Sequence, residues 1–162
     1  MFDAPARPAP QDASWRIEIE APADAAAVEG LVLAAFGPGR FAKTAERLRE
    51  RARIAAGFVA HEDGKVIGSV RLWAITVGGE PALFLGPIAV SADSRRAGLG
   101  ADLVQACVDR AGDVGILLVG DLPYFGRFGF QPAPDARLNG PVDQRRVLWR
   151  GKGEATGTVL PA

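Results

Sequence analysis

Arg95-Arg96-Ala97-Gly98-Leu99-Gly100 is the stretch of this chain whose residue types and spacing point to chemistry. Gly98 and Gly100 let the main chain approach a ligand closely, and they open the apolar-periodic run to Ala111 that predicts a helix. The first N–H groups of a helix have no partner within it, and the helix dipole adds positive potential at that end. A phosphate group fits such a nest, and Arg95 and Arg96 stand beside it with guanidinium groups suited to charge-assisted contacts. Two better-known phosphate loops are excluded. No Gly-Lys-Ser/Thr follows, as a nucleoside triphosphate loop requires, and Leu103 stands where the third glycine of a dinucleotide fingerprint would fall. Alone, Arg-x-x-Gly-x-Gly is a weak signal.

Pro87 supplies an independent clue. It interrupts the strand-like run Phe84 to Val90, where its nitrogen cannot donate to a ladder, and so marks a bulge, an edge or a parting of strands. If Ile88-Ala89-Val90 leaves its neighbour, its free amides and carbonyls can pair with an extended ligand arm that carries its own amide groups. Pantetheine is such an arm.

The elements that must position these residues follow from periodicity. Ile17 and Ile19 alternate with Arg16, Glu18 and Glu20, the pattern of a half-buried strand. Pro22, Asp24 and the Ala-rich stretch to Phe36 predict a helix, which Phe36-Gly37-Pro38-Gly39 ends, and a second helix spans roughly Ala42 to Ala55. Asp63-Gly64 predicts a two-residue hairpin within 58–73, with Glu62 and Lys65 as a cross-strand charge pair. Gly78-Gly79 repeats the signal, returning Val66–Ile75 into a third strand from Ala82 to Val90. After a short loop comes the helix from about Gly98 to Ala111, then the apolar run Ile116-Leu117-Leu118-Val119 of a strand buried on both faces. A strand, crossover helix and second strand form a right-handed parallel unit. The fold class is therefore α/β, a mixed sheet in which an antiparallel meander joins a parallel strand-helix-strand unit, flanked by helices.

At 162 residues the chain has room for one domain, placed at 15–150 between a Pro/Ala-rich tail at 1–14 and a weakly patterned tail at 151–162, both expected to carry little of the core. Nineteen basic against nineteen acidic residues give zero formal charge, so no global field gathers nucleic acid or a membrane surface. One cysteine, Cys107, and one histidine, His61, exclude an internal disulfide and a Cys/His zinc cluster. No signal-peptide pattern or apolar span of about 18 residues occurs, which makes the cytoplasm the default location.

Leu85-Gly86-Pro87-Ile88-Ala89-Val90, then Arg95-x-x-Gly98-x-Gly100, then Tyr124-Phe125-Gly126-Arg127-Phe128-Gly129-Phe130 resembles the GNAT superfamily of N-acetyltransferases. Within it the chain looks like the bacterial group whose strand end reads Gly-Asp-x-x-Tyr-Tyr-x-x-Phe-Gly-Phe. The likeness covers element order over most of 15–130 and individual residues over 83–100 and 116–130. It implies acetyl-CoA as acetyl donor, with pyrophosphate on the amides of Arg96, Ala97, Gly98, Leu99, Gly100 and Ala101, pantetheine along Ile88, Ala89 and Val90, and Arg95 at the family's Arg/Gln position. It implies no metal. The acceptor it implies is a primary amine, and a homodimer is one of the assemblies left open.

Three residues depart from the family pattern. Ala92 stands where proline is common and Arg96 where glycine is common; neither change removes a backbone donor. Phe125 takes the place of the tyrosine whose hydroxyl is thought to protonate the leaving thiolate, so that role passes to Tyr124, to water or to nothing. A thiol with a pKa of about 8.5 leaves tolerably without full protonation. An alkylammonium with a pKa of about 10.4 must lose a proton before it attacks, a deficit of roughly 4–5 kcal/mol at neutral pH. Glu62, Glu80 and Asp121 are the candidate bases by chain position, with Asp121 favoured at the end of the parallel strand and helix capping as its plainer role.

Plainer roles suit other residues. His61 reads as a hydrogen-bonded structural histidine, Cys107 as core, and Phe125, Phe128 and Phe130 as core plugs, the sharper reading being that one of them walls the acetyl pocket. The run Glu46-Arg47-Leu48-Arg49-Glu50-Arg51-Ala52-Arg53 reads as a solvated helical face; its sharper reading is a border of the acceptor site that favours a carboxylate- or phosphate-bearing amine. The rival functions are a CoA-binding regulatory module with weak turnover, favoured by Phe125, and an interaction domain that binds no acyl-CoA.

Overall fold

The computed structural model describes residues 15–37, 43–92 and 98–162. The chain runs β1 (Arg16–Ile19), α1 (Ala25–Phe36), α2 (Thr44–Arg51), β2 (Ile54–Glu62), β3 (Lys65–Val77), β4 (Glu80–Val90), α3 (Leu99–Ala111), β5 (Ile116–Val119), α4 (Leu122–Phe125), β6 (Gln131–Pro132), β7 (Ala136–Arg137), β8 (Val147–Arg150) and β9 (Gly157–Pro161). The strands form a mixed sheet in the order β1-β2-β3-β4-β5-β8-β6, with β9 attached to β3 and β7 to β9. Pairing is antiparallel from β1 to β4, parallel between β4 and β5, and antiparallel from β5 to β8 and from β8 to β6. This is the α/β mixed sheet expected from the sequence.

Both hairpins fall where their turn residues predict, with Glu62 opposite Lys65 and Val77 opposite Glu80. Asp63 and Gly64 both take positive φ, which a two-residue hairpin demands and which Asp and Gly tolerate. The second helix is shorter than the sequence predicts. It ends at Arg51, Ala52 is already extended, and Ile54 begins β2 opposite Trp73.

Two cores sandwich the sheet. On one face α3 sets Leu99, Leu103, Val104, Cys107 and Val108 against Val70, Leu72, Leu85, Ile116 and Leu118. On the other, α1 buries Val28 and Val32 against Val59 and Ala89, while Leu48 of α2 joins Phe84, Leu117 and Val147. Each such fully buried aliphatic side chain contributes about 1.5–3 kcal/mol. Arg71 on β3 fastens α1 and the end of β1, donating to both Glu20 oxygens at 3.0 and 2.8 Å and to Glu29 at 3.1 Å.

Residues 151–162 do more than the sequence suggests. Val159 pairs with Val77 and is 2 % exposed, and Ala155 is also buried, so this segment completes a core instead of trailing from it. Its short alternation is diluted by Gly157 and Pro161, and the strand that receives it lies far away in sequence.

Candidate functional site

The parallel junction is where the sheet opens. β4 and β5 share only the pairs Leu83 with Ile116 and Phe84 with Leu117, although β4 continues to Val90. On its other side β4 stays paired to β3 through Val70–Ile88, Ser69–Ala89 and Gly68–Val90. The parting signalled by Pro87 is thus real, but it separates Ile88–Val90 from β5 and not from the preceding hairpin strand. The ladder jumps from Val70–Ile88 to Leu72–Leu85, so Gly86 and Pro87 together oppose Arg71 in a β-bulge. Beyond it, the Ser91 N–H donates to the Ile67 carbonyl at 2.8 Å. Main-chain groups alternate sides along an antiparallel strand, so Ala89 faces β3, as Ser91 does, while Ile88 and Val90 turn their N–H and C=O groups into the gap.

A cavity of about 370 Å³ fills that gap. Its walls come from both faces of the sheet: Leu85 and Leu118 belong to the α3-side core, and Phe84 belongs to the opposite one. Tyr124 and Phe125 of α4 close one end; Ala45 and Arg49 of α2, with Phe36 of α1, border the other.

Gly98 precedes α3 as its N-cap, with φ +95 and ψ −11. That left-handed conformation suits glycine, and a Cβ there would meet nothing within 4 Å. The Gly98 carbonyl accepts the first helical bond, from the Asp102 N–H at 2.9 Å. Leu99 is fully buried and anchors the first turn, while Gly100 and Ala101 are only half-buried. In a helix of 13 residues the N–H groups of this turn lie beyond the reach of internal carbonyls. Arg95, Arg96 and Ala97 lie outside the described residues.

The Tyr124 hydroxyl reaches this turn: a Cβ placed on Gly100 would lie 3.3 Å from it. Arg127 lies over the Tyr124 ring at 4.5 Å from its centroid and donates to the Tyr124 carbonyl at 3.2 Å. Phe125 meets Tyr124 edge-on, with centroids 4.9 Å apart. A Cβ on Gly120 would come within 2.5 Å of the Phe125 ring, so the glycine at the end of β5 makes the slot that this ring occupies. Asp121 is the N-cap of α4, its carbonyl accepting from the Phe125 N–H at 2.9 Å. Its carboxylate lines the cavity and pairs with Arg146 at 3.3 Å. Glu62 and Glu80, at the hairpin ends, do not line the cavity.

Of the cations in the wall, the sequence offered Arg49 only within the sharper reading of the run 46–53, and it missed Lys43 and Arg146. The run 46–53 is not uniformly solvated: Glu46 and Arg49 turn inward, joined at 2.9 Å with side chains 9 % and 11 % exposed. Arg49 lies 6.0 Å over the Phe84 ring. Lys43 and Arg146 complete the set, and Arg146 enters from a stretch carrying no motif, placed only because β8 pairs with β5. The inward i,i+3 spacing of Glu46 and Arg49 was the one available signal.

His61 has the structural role expected of it, between Glu18 at 2.6 Å and Asp24 at 3.2 Å. Cys107 is fully buried, and loss of solvation pushes its thiol up to about 12. Among the described residues no group of three or more His, Cys, Asp or Glu is placed to hold a metal ion, and no helix is long and apolar enough to cross a membrane.

Residues 26–130 match the model of the acetyltransferase (GNAT) family. The chain is 34 % identical over 145 residues to the uncharacterized N-acetyltransferase YhbS of Escherichia coli K12, covering 86 % of this chain and 83 % of that protein. The crystal structure of YhbS from Escherichia coli in complex with CoA superposes with a TM-score of 0.77 at 28 % identity, over 100 % of this chain and 94 % of that one. A GNAT family acetyltransferase from Brucella melitensis, in complex with acetyl-CoA, gives a TM-score of 0.62 at 30 % identity, over 82 % of this chain and 94 % of that one.

Proposed function

Because this chain belongs to the GNAT acetyltransferase family, we propose that it moves an acetyl group from acetyl-CoA to a primary amine by direct attack within a ternary complex. The observation that carries the proposal is the cavity at the parted β4–β5 junction, where one strand turns main-chain groups that β5 does not pair into the gap, beside the helix N-terminus at Gly98. The CoA and acetyl-CoA held by YhbS and the Brucella protein support the same donor here. The run from Gly120 to Phe130 supports placement with the bacterial group that ends this strand Gly-Asp-x-x-Tyr-Tyr-x-x-Phe-Gly-Phe.

In this reading the amides of Gly98, Leu99, Gly100 and Ala101, with Arg95, Arg96 and Ala97 before them, hold the pyrophosphate. Ile88 and Val90 pair with the pantetheine amides through the gap, Ala89 keeps that strand on β3, and the thioester comes to rest near the bulge. A main-chain N–H turned into the gap donates to the carbonyl oxygen as it becomes an oxyanion. Asp121, directly or through water, takes the proton that the acceptor ammonium must lose. The amine nitrogen bonds to the acetyl carbon, the C–S bond breaks, and Tyr124 protonates the departing thiolate. Phe125 walls the acetyl group.

The hydroxyl-free ring of Phe125 in the Gly120 slot favours a second reading, a CoA-binding regulatory module with weak turnover. Acetyl-CoA binding followed by thermal shift, and thiol release with a library of amines, test both. Binding with turnover supports the enzyme, binding without turnover the regulatory module, and no binding overturns the two together.

A further inference from the structure

From the charge of the cavity's α2-side wall and the fixed position of Arg49 in it, we infer that the acceptor is a small primary amine bearing a carboxylate or phosphate, held by Arg49. This rests on the acetyl-transfer reading above and names its substrate class. Among the described residues that line the cavity, Lys43, Arg49 and Arg146 are cationic and Asp121 alone is anionic, and Asp121 already faces Arg146. Arg49 is set apart from the other two by its fixed position. Its side chain is 11 % exposed, Glu46 holds one guanidinium nitrogen at 2.9 Å, and the Phe84 ring lies beneath it. A planar fork held this way loses little freedom when it binds an anion.

Its other nitrogen points to where the reaction would occur. A Cβ placed on Gly86 would lie 3.5 Å from Arg49 Nη1, so the guanidinium overhangs the bulge at which β4 leaves β5. An anion on Arg49 therefore sits within a few bonds of an amine attacking a thioester beside Pro87. Size points the same way: about 370 Å³ must hold the end of the pantetheine arm and the acceptor together, which leaves room for a compact molecule. Lys43, exposed at the mouth, adds attraction on approach.

The test uses small primary amines in matched pairs, each free acid against its carboxamide and each phosphomonoester against its alcohol, with thiol release from acetyl-CoA as the readout and acetyl-CoA thermal shift alongside. The wild-type protein is expected to prefer the anionic member by at least about 10-fold in kcat/KM, mainly through KM. Arg49→Gln is expected to erase that ratio, Arg49→Lys to restore part of it, and Lys43→Gln, at an exposed position, to reduce it without touching the buried pair. The acid and phosphate series show which anion is taken. Equal or better use of the neutral members, or use of peptide amines alone, overturns the inference and leaves acetyl transfer standing. Acetyl-CoA binding with no amine turned over overturns it as well, and absence of acetyl-CoA binding removes the acetyl-transfer reading first.

Discussion

Replacing Gly98 with glutamate separates two effects that meet at one backbone position. The residue sits at φ +95, where any L side chain is strained by about 1–2 kcal/mol. For a domain of this size that lowers the unfolding midpoint by about 2–8 °C, and a carboxylate at a helix N-terminus returns roughly 0.3–1 kcal/mol of it. The effect on acetyl-CoA is larger. A carboxylate about 5 Å from a phosphate charge costs about 3 kcal/mol at an effective dielectric of 20. With solvent screening at this open position, a net loss of about 2–3 kcal/mol corresponds to a Kd raised about 30- to 140-fold. Gly98→Ala carries the same strain without the charge, and its methyl group meets nothing within 4 Å in the protein, so its Kd is expected to rise less than about 10-fold. Calorimetric titration with acetyl-CoA, beside thermal melts of each variant, reads both quantities. Wild-type affinity in the glutamate variant would refute the phosphate nest; an equal loss in both variants would show that shape and not charge governs the turn.

Three further expectations rest on single residues. Tyr124→Phe should leave acetyl-CoA affinity unchanged and lower kcat by about 10-fold or more, and unaltered turnover would remove Tyr124 from the proton path. Cys107, with an ordinary value of 9.0 raised to about 12 by burial, keeps its proton in the folded chain at pH values where the unfolded chain has lost it. Its contribution to stability is therefore complete below about pH 9 and declines as pH rises toward 12, so Cys107→Val should flatten the alkaline limb of the stability curve, and the native thiol should resist a thiol reagent at pH 8; prompt native labelling would contradict its burial. Val159→Ala should cost about 2 kcal/mol in urea denaturation, and an unchanged midpoint would mean that β9 adds nothing to the core.

Much of this geometry was legible because it is written in local chemistry. Asp63-Gly64 and Gly78-Gly79 fix their hairpins through φ values that few residues accept, and Gly98 marks the entry to α3 for the same reason. Pro87 announced an interruption, but a missing donor does not reveal which neighbouring strand departs; that depends on where β5 leaves β4, after the Phe84–Leu117 pair and with β5 itself continuing to Val119. Arg49 and Arg146 were invisible as a pair because tertiary pairing alone brings them to one wall. In a short charged helix such as α2, the inward direction of Glu46 and Arg49 follows from their pairing with each other beside the cavity that Arg49 lines, and not from apolar periodicity.

The cavity lies between the two cores of the sheet, with Leu85 and Leu118 on one side of it and Phe84 on the other. A donor laid along β4 and an acceptor held by Arg49 of α2 then contact different elements, so neither occupies the other's place. Acyl donor and acceptor should accordingly load in either sequence.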